Sequence, residues 1–352
     1  MKLKILGVVT VVLLVIALVG GLLTRREEAV PEGMVGQPLL QGQHVGGAAE
    51  IRIDDGKSPV TLKATTDGWV VVEQYDFSAN TAMINRLLLR MTEKTVGRFI
   101  TSDPKVYAQL GLLTTAENHD SAQEKITGIE FTVLDDTQHE LYRVVLGNER
   151  EAPQPGMRAA GMYVRFPGED AAYLIASLLR VNVKPRDWLD PVLIDFDEKI
   201  ELQRFRIARA GKKPYTIERE DAEAKWKMAG DENRNLADRA SREAARGLGD
   251  LVMVNVADPE LSQADMGRDK VAVVEMTLFD QRNYTLTVGE EVGLEEYRYV
   301  TVSASVDPDL EDETVRKEVE AFNKKFEGRV FGIYDWAVER FIVDQDHFDP
   351  KS

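Results

Sequence analysis

The 352 residues carry 60 acidic and 44 basic side chains, a formal net charge of −16. With 43% hydrophobic and 30% charged residues, the chain has apolar side chains enough for a packed body of about two domains, and its charge opposes binding to nucleic acid or anionic headgroups through a basic surface. The absence of cysteine excludes disulfides, thiolate metal sites, a cysteine nucleophile and lipoprotein acylation.

The chain opens on Met1-Lys2-Leu3-Lys4, and the stretch from Ile5 to Leu23 then runs without a charge until Arg25 and Arg26. Nineteen helical residues span about 28 Å, close to the hydrocarbon thickness of a bilayer. The run is longer than a signal peptide's apolar region, and no small-residue cleavage triplet precedes Arg25. It therefore predicts an uncleaved transmembrane anchor over residues 1–26, bounded by Ile5 and Leu23, with the N-terminus cytoplasmic and the body in the periplasm of an inner membrane. Residues 27–47, with two prolines and five glycines, read as a flexible tether.

The rest resembles itself weakly. Val60-Thr61-Leu62-Lys63 before Asp67-Gly68-Trp69 parallels Tyr215-Thr216-Ile217-Glu218 before Trp226, each a hairpin pattern. A helix follows each. In the first, Ser78 is the expected cap, and Ile84, Leu87, Leu88 and Met91 fall on one face. The second is marked by Leu236, Ala240 and Ala244 and stops near Gly247. Ile129 to Asp135 aligns with Val274 to Asp280, and Tyr142 to Gly147 with Tyr284 to Gly289, all alternating strands. The predicted fold class is α+β: two tandem, weakly similar repeats of antiparallel sheet with helices packed on one face, preceded by one transmembrane helix. The expected boundaries are a first repeat over 48–185, a linker over 186–198, a second repeat over 199–306 and a helical extension over 307–352. Trp69, Trp188, Trp226 and Trp336 read as core or linker anchors.

Catalytic patterns are missing from the sequence. His44, His119, His139 and His347 stand far apart, and H-E-x-x-H does not occur. Asp231, Asn233 and Asn235 begin like a calcium loop, but Leu236 stands where glycine is needed and Arg242 where a glutamate is needed. The acidic stretch Asp307 to Glu313 reads as the entry to a helix, favoured by the helix dipole. There is no phosphate-binding loop and no nucleophile elbow. The expectation is a protein that is not an enzyme, with no catalytic, cofactor or metal residue.

Asp67-Gly68-Trp69, Thr101-Ser102-Asp103-Pro104 with Tyr107, Leu110-Gly111-Leu112, Asp187-Trp188-Leu189-Asp190 and Tyr334-Asp335-Trp336 resemble the motifs of a bacterial family known as domain of unknown function 4340. Asp103-Pro104 reads as a helix start and Gly111 as its end. The resemblance implies an accessory subunit of an ABC-type transport or gliding-like envelope complex, whose partners are an ABC-type permease and a gliding-motility-like auxiliary protein. The alternative expectation is an envelope-polymer or small-ligand binding module that uses a cleft between the repeats.

Overall fold

The computed structural model describes residues 33–118, 126–150, 161–231, 233–292 and 296–350. In chain order the first elements are β1 (Glu50–Asp54), β2 (Val60–Thr65), β3 (Gly68–Val71), β4 (Phe77–Ser78), α1 (Thr81–Glu93), β5 (Val96–Thr101) and α2 (Pro104–Tyr107). Next come β6 (Ile129–Leu134), β7 (Glu140–Glu149), β8 (Met162–Arg165), β9 (Ala172–Ile175), β10 (Val192–Asp195), β11 (Leu202–Arg209), β12 (Tyr215–Glu218) and β13 (Lys227–Met228). Then follow α3 (Asp238–Gly249), β14 (Asp250–Val252), β15 (Asn255–Val256), β16 (Ala272–Leu278) and β17 (Arg282–Val288). The last are β18 (Tyr297–Val306), α4 (Glu313–Phe326), β19 (Phe331–Tyr334) and α5 (Asp335–Val338).

The expected α+β fold with a preceding transmembrane helix is corrected by these elements. The described residues are mostly antiparallel strands with few helices, two of them four residues long. No described helix is long and apolar enough to cross a membrane, and the run from Ile5 to Leu23 lies outside the described residues. The physical reason lies in the apolar patterning. It is carried mainly by short runs of alternating period broken by turn residues, and such runs are satisfied by cross-strand pairing rather than by an amphipathic helical face. The C-terminal extension shows this directly: Phe331–Tyr334 forms a strand within a segment expected to be helical.

Contacts divide the chain into two units. One takes residues through Ala48, Asp54–Lys57 and Leu87–Val181; the other takes Ala49–Ile53, Ser58–Arg86 and the chain from Asn182 onward. In the first unit the strand order is β6-β7-β8-β9-β5. Its core contains Leu39, Leu40, Met91, Val133, Val144 and Tyr173, all essentially without exposure. The Tyr142 hydroxyl donates to the Leu39 carbonyl across this core. A row of edge-on rings continues from Tyr142 through Phe166 to Tyr173 and Phe99.

In the second unit β4-β3-β2-β1 lie in that order, and a separate sheet runs β13-β12-β11-β16-β17-β18-β19-β15. Alternation sorts the faces of this second sheet. Phe205, Ile207, Val274, Met276, Leu286, Val302 and Ala304 are buried. Arg204, Arg206, Glu275, Thr277, Asn283 and Ser305 lie on the opposite face. Helix α4 starts where Asp312 accepts from the amides of Thr314 and Val315, and its Phe326 packs against Phe77 and Phe331. Helix α1 is capped by Asn80, whose side chain accepts from the Met83 amide at 3.0 Å, and not by Ser78 as expected. Ser78, which ends β4, stands two positions before the cap, too early to bridge to the first turn.

Candidate anion-binding site

The site grows from the segment between β15 and β16. The Asp265 amide donates to Ser262 Oγ at 3.2 Å, and the Ser262 amide donates to Asp265 Oδ2 at 3.3 Å. This reciprocal pair opens one helical turn, as in a capping box. The turn closes with Gly267 at φ +64°. The Gly267 amide donates to Ala264 O at 3.0 Å and the Arg268 amide to Gln263 O at 2.8 Å, the two bonds of a Schellman stop with Gly267 in the left-handed position. A Cβ at Gly267 would lie 2.5 Å from the Glu290 carbonyl oxygen, so both backbone conformation and space require glycine. Met266 and Ala257 bury against Tyr299 with Leu261 beside them, which pins the turn to the outer face of β18. Arg268 follows directly, so its direction is set by the stop.

Arg268 lines a cavity of about 470 Å³ with Gln263, Thr301, Ser303, Asn323 and Arg329. Its Nη2 donates to Thr301 Oγ1 at a long 3.4 Å, while its Nη1 is buried with no partner. No described carboxylate forms an ion pair with it, and burial pulls its guanidinium below the ordinary arginine value. Arg268 as a whole is half-buried, and the two buried arginines among the described residues are treated differently. Arg165 donates to Leu112 O at 3.0 Å and pairs with Glu117. Arg219 donates to the carbonyls of Leu202, Ala222 and Glu198 at 2.7–2.8 Å and lies over Trp226. A buried donor left unmade costs about 1–3 kcal/mol, more when charged. In a chain with sixteen surplus negative charges, the lack of a carboxylate beside Arg268 leaves a cationic position open to an anion from outside. Arg329 supports the same polarity from the other wall. Its Nη1 donates to Tyr75 O at 2.8 Å and its guanidinium lies 5.4 Å from the Phe77 ring centre. Glu327 also lines the cavity, but it is exposed.

The residues singled out from sequence lie elsewhere. His44 stacks on Tyr142 with ring centres 5.7 Å apart. The His139 amide donates to Asp135 Oδ1 in the β6–β7 turn. His347 stands edge-on to Phe348, and His119 lies outside the described residues. Among the described residues no three histidine, aspartate or glutamate side chains converge as metal ligands. In the acidic stretch Asp307 to Glu313, Asp307 accepts from the Asp309 amide and Asp312 caps α4. Asp103 accepts from the Lys105 amide at the start of α2, and Gly111 takes φ +65° after it. Trp188 and Trp226 are buried and Trp69 is half-buried. Trp336, expected as an anchor, is instead 59% exposed and stacked on Tyr334, because the short α5 turns it outward. Arg268 itself carries no sequence signal beyond the Ser-x-x-Asp…Gly pattern of its turn. That it lacks a counter-charge is a property of three-dimensional neighbours.

Fold and cavity together define the class: an antiparallel-sheet body with a preformed cationic cavity. The family profile described as "Domain of unknown function (DUF4340)" matches residues 69–270, more than half of the chain, and the chain belongs to that family. The match includes Arg268, whereas Thr301, Asn323 and Arg329 lie beyond it. No curated protein matches significantly, and neither does any solved structure.

Proposed function

We propose that this chain is a non-enzymatic recognition subunit that binds an anionic ligand in the Arg268 cavity and serves an ABC-type transport or gliding-like envelope complex from its extracytoplasmic side. The observation that carries the binding role is Arg268 itself, which lines a cavity of about 470 Å³ and has no described carboxylate as an ion-pair partner. A guanidinium in such a setting gains most from a carboxylate or phosphate, whose two oxygens match its fork. The lining supports binding over chemistry: Thr301 and Ser303 offer hydroxyls with no histidine beside them in the cavity. The net negative charge of the chain opposes nonspecific anion binding and so favours selectivity at a preformed cationic position. Membership of a family whose resemblance implies a place beside an ABC-type ATPase, its permease and a gliding-motility-like auxiliary protein supports the accessory role.

Calorimetric titration of the full chain with acetate and with inorganic phosphate tests the binding role. We expect saturable binding that weakens with added salt and is lost in Arg268→Gln. Equal heats for the two proteins would remove Arg268 from recognition. The accessory role is tested by pull-down of the intact protein from detergent-solubilised membranes; recovery without a permease or an auxiliary protein counts against it.

A further inference from the structure

The edge of β18 inside the cavity narrows the chemistry of the ligand. β18 pairs with β19 only from Tyr297↔Tyr334 to Val300↔Phe331. Beyond Val300 no described strand pairs with this edge of β18: the connection from α4 enters through Gly328 at φ +72°, and Val330 directs its carbonyl to the Ala257 amide on the far side, at 2.9 Å. In an antiparallel ladder, successive residues turn their main-chain N–H and C=O to opposite edges. The Tyr299 carbonyl accepts from Gly289 on the β17 side, so Val300, Val302 and Ala304 turn theirs to the β19 side. Val300 is opposite Phe331 there. Ala304 is met by a side chain that imitates a strand: Asn323 Oδ1 accepts from the Ala304 amide and Asn323 Nδ2 donates to the Ala304 carbonyl, both at 2.8 Å. Val302, between them, lines the cavity with neither a strand nor a side-chain amide opposite.

Building on the anion-binding reading, we infer that the cavity receives the carboxyl-terminal end of an extended peptide, which adds to the β18 edge at Val302 and places its terminal carboxylate on Arg268. Three features of the molecule converge on this occupant. An exposed strand edge is a template for another chain, and edge addition supplies main-chain bonds while pockets read the rest. The open stretch from Val300 to Ala304 spans only about 13 Å at the strand rise, with Phe331 closing one end and Asn323 the other, so it suits a chain terminus and not a strand running through. The free cation beside it matches the charge that a terminus carries and an internal segment lacks.

The test uses the isotopically labelled full chain and a pool of random tetrapeptides with free carboxyl termini, followed by amide chemical shifts in the NMR spectrum. Three further probes are the same pool amidated at the C-terminus, the pool N-methylated at its backbone amides, and inorganic phosphate. We expect the free-acid pool to shift the amides of Val302 and Thr301. Amidation or Arg268→Gln should weaken it about tenfold or more, as loss of a charge-assisted bond requires, and N-methylation should weaken it about two- to tenfold. If phosphate shifts these amides while the peptide pool does not, or if the N-methylated pool binds as well as the parent, strand addition is wrong although anion binding stands. If no probe shifts the cavity amides, both readings fall.

Discussion

Replacing Arg268 with methionine should make the protein more stable while abolishing ligand binding. Methionine keeps the length of the stem and removes the guanidinium. What is lost is a single long bond, Nη2 to Thr301 Oγ1 at 3.4 Å, worth at most about 0.5–1.5 kcal/mol. What is relieved is the desolvation of a cation whose Nη1 is buried without a partner, about 1–3 kcal/mol or more for a charged donor. The Schellman bonds of Gly267 and Arg268 use main-chain atoms and survive the change. The balance favours the variant by about 1–2 kcal/mol, an increase of about 2–8 °C in Tm for a unit of this size. Differential scanning calorimetry with and without ligand reads both consequences, because stability held back at a functional group is the expected signature of a binding site. A loss of stability above about 1 kcal/mol in Arg268→Met would falsify the reasoning, since it would mean that the guanidinium is already satisfied within the protein.

Other outcomes follow from particular contacts. Asn323→Ala removes both bonds to Ala304 and should cost about 1–3 kcal/mol in urea denaturation, whereas Asn323→Gln, too long for the same two-point fit, should recover little of it. Gly267→Ala forces a Cβ to within 2.5 Å of the Glu290 carbonyl; a loss of at least about 1 kcal/mol together with weakened phosphate binding is expected, and unchanged binding would disconnect the turn from the site. Tyr142→Phe leaves the buried Leu39 carbonyl without its donor and should lower stability by about 1–3 kcal/mol at neutral pH. Burial holds the phenols of Tyr142, Tyr215 and Tyr284 above the ordinary tyrosine value. In the unfolded chain they ionise near pH 10, so their contribution is intact below about pH 10 and is lost as pH rises further, at about 1.4 kcal/mol per pH unit for Tyr142 alone. Far-UV circular dichroism against pH should show unfolding in that window, and Tyr142→Phe should flatten its slope.

Much local structure was legible because short-range chemistry controls it. The alternation in Ile129 to Leu134 and Ala272 to Leu278 marked strands, and both pair as antiparallel hairpins with the runs predicted beside them. Ile84, Leu87, Leu88 and Met91, spaced on one helical face, are the buried side of α1. Asp103-Pro104 and Gly111 bracket α2 as turn chemistry requires. What misled was the balance of classes. Periodicity located helices in the body correctly but could not weigh them against the strands formed by brief segments such as Phe331–Tyr334, whose pairing partners are distant in sequence.

From the order of its side chains alone, this protein's charge, its lack of thiol chemistry, its strand and helix periodicities and its family motifs are all readable, since each depends on residues within a few positions of one another or on composition. The cationic cavity is different in kind. An arginine at position 268 is one basic residue among 44, and only folding decides which of them meets a carboxylate. The chain brings Arg165 to Glu117 and Arg219 to three carbonyls, yet places Arg268 at a cavity without a described carboxylate to pair with. The open β18 edge is likewise a matter of where β19 stops pairing and where Asn323 lands, contacts between segments far apart along the chain that no local pattern encodes.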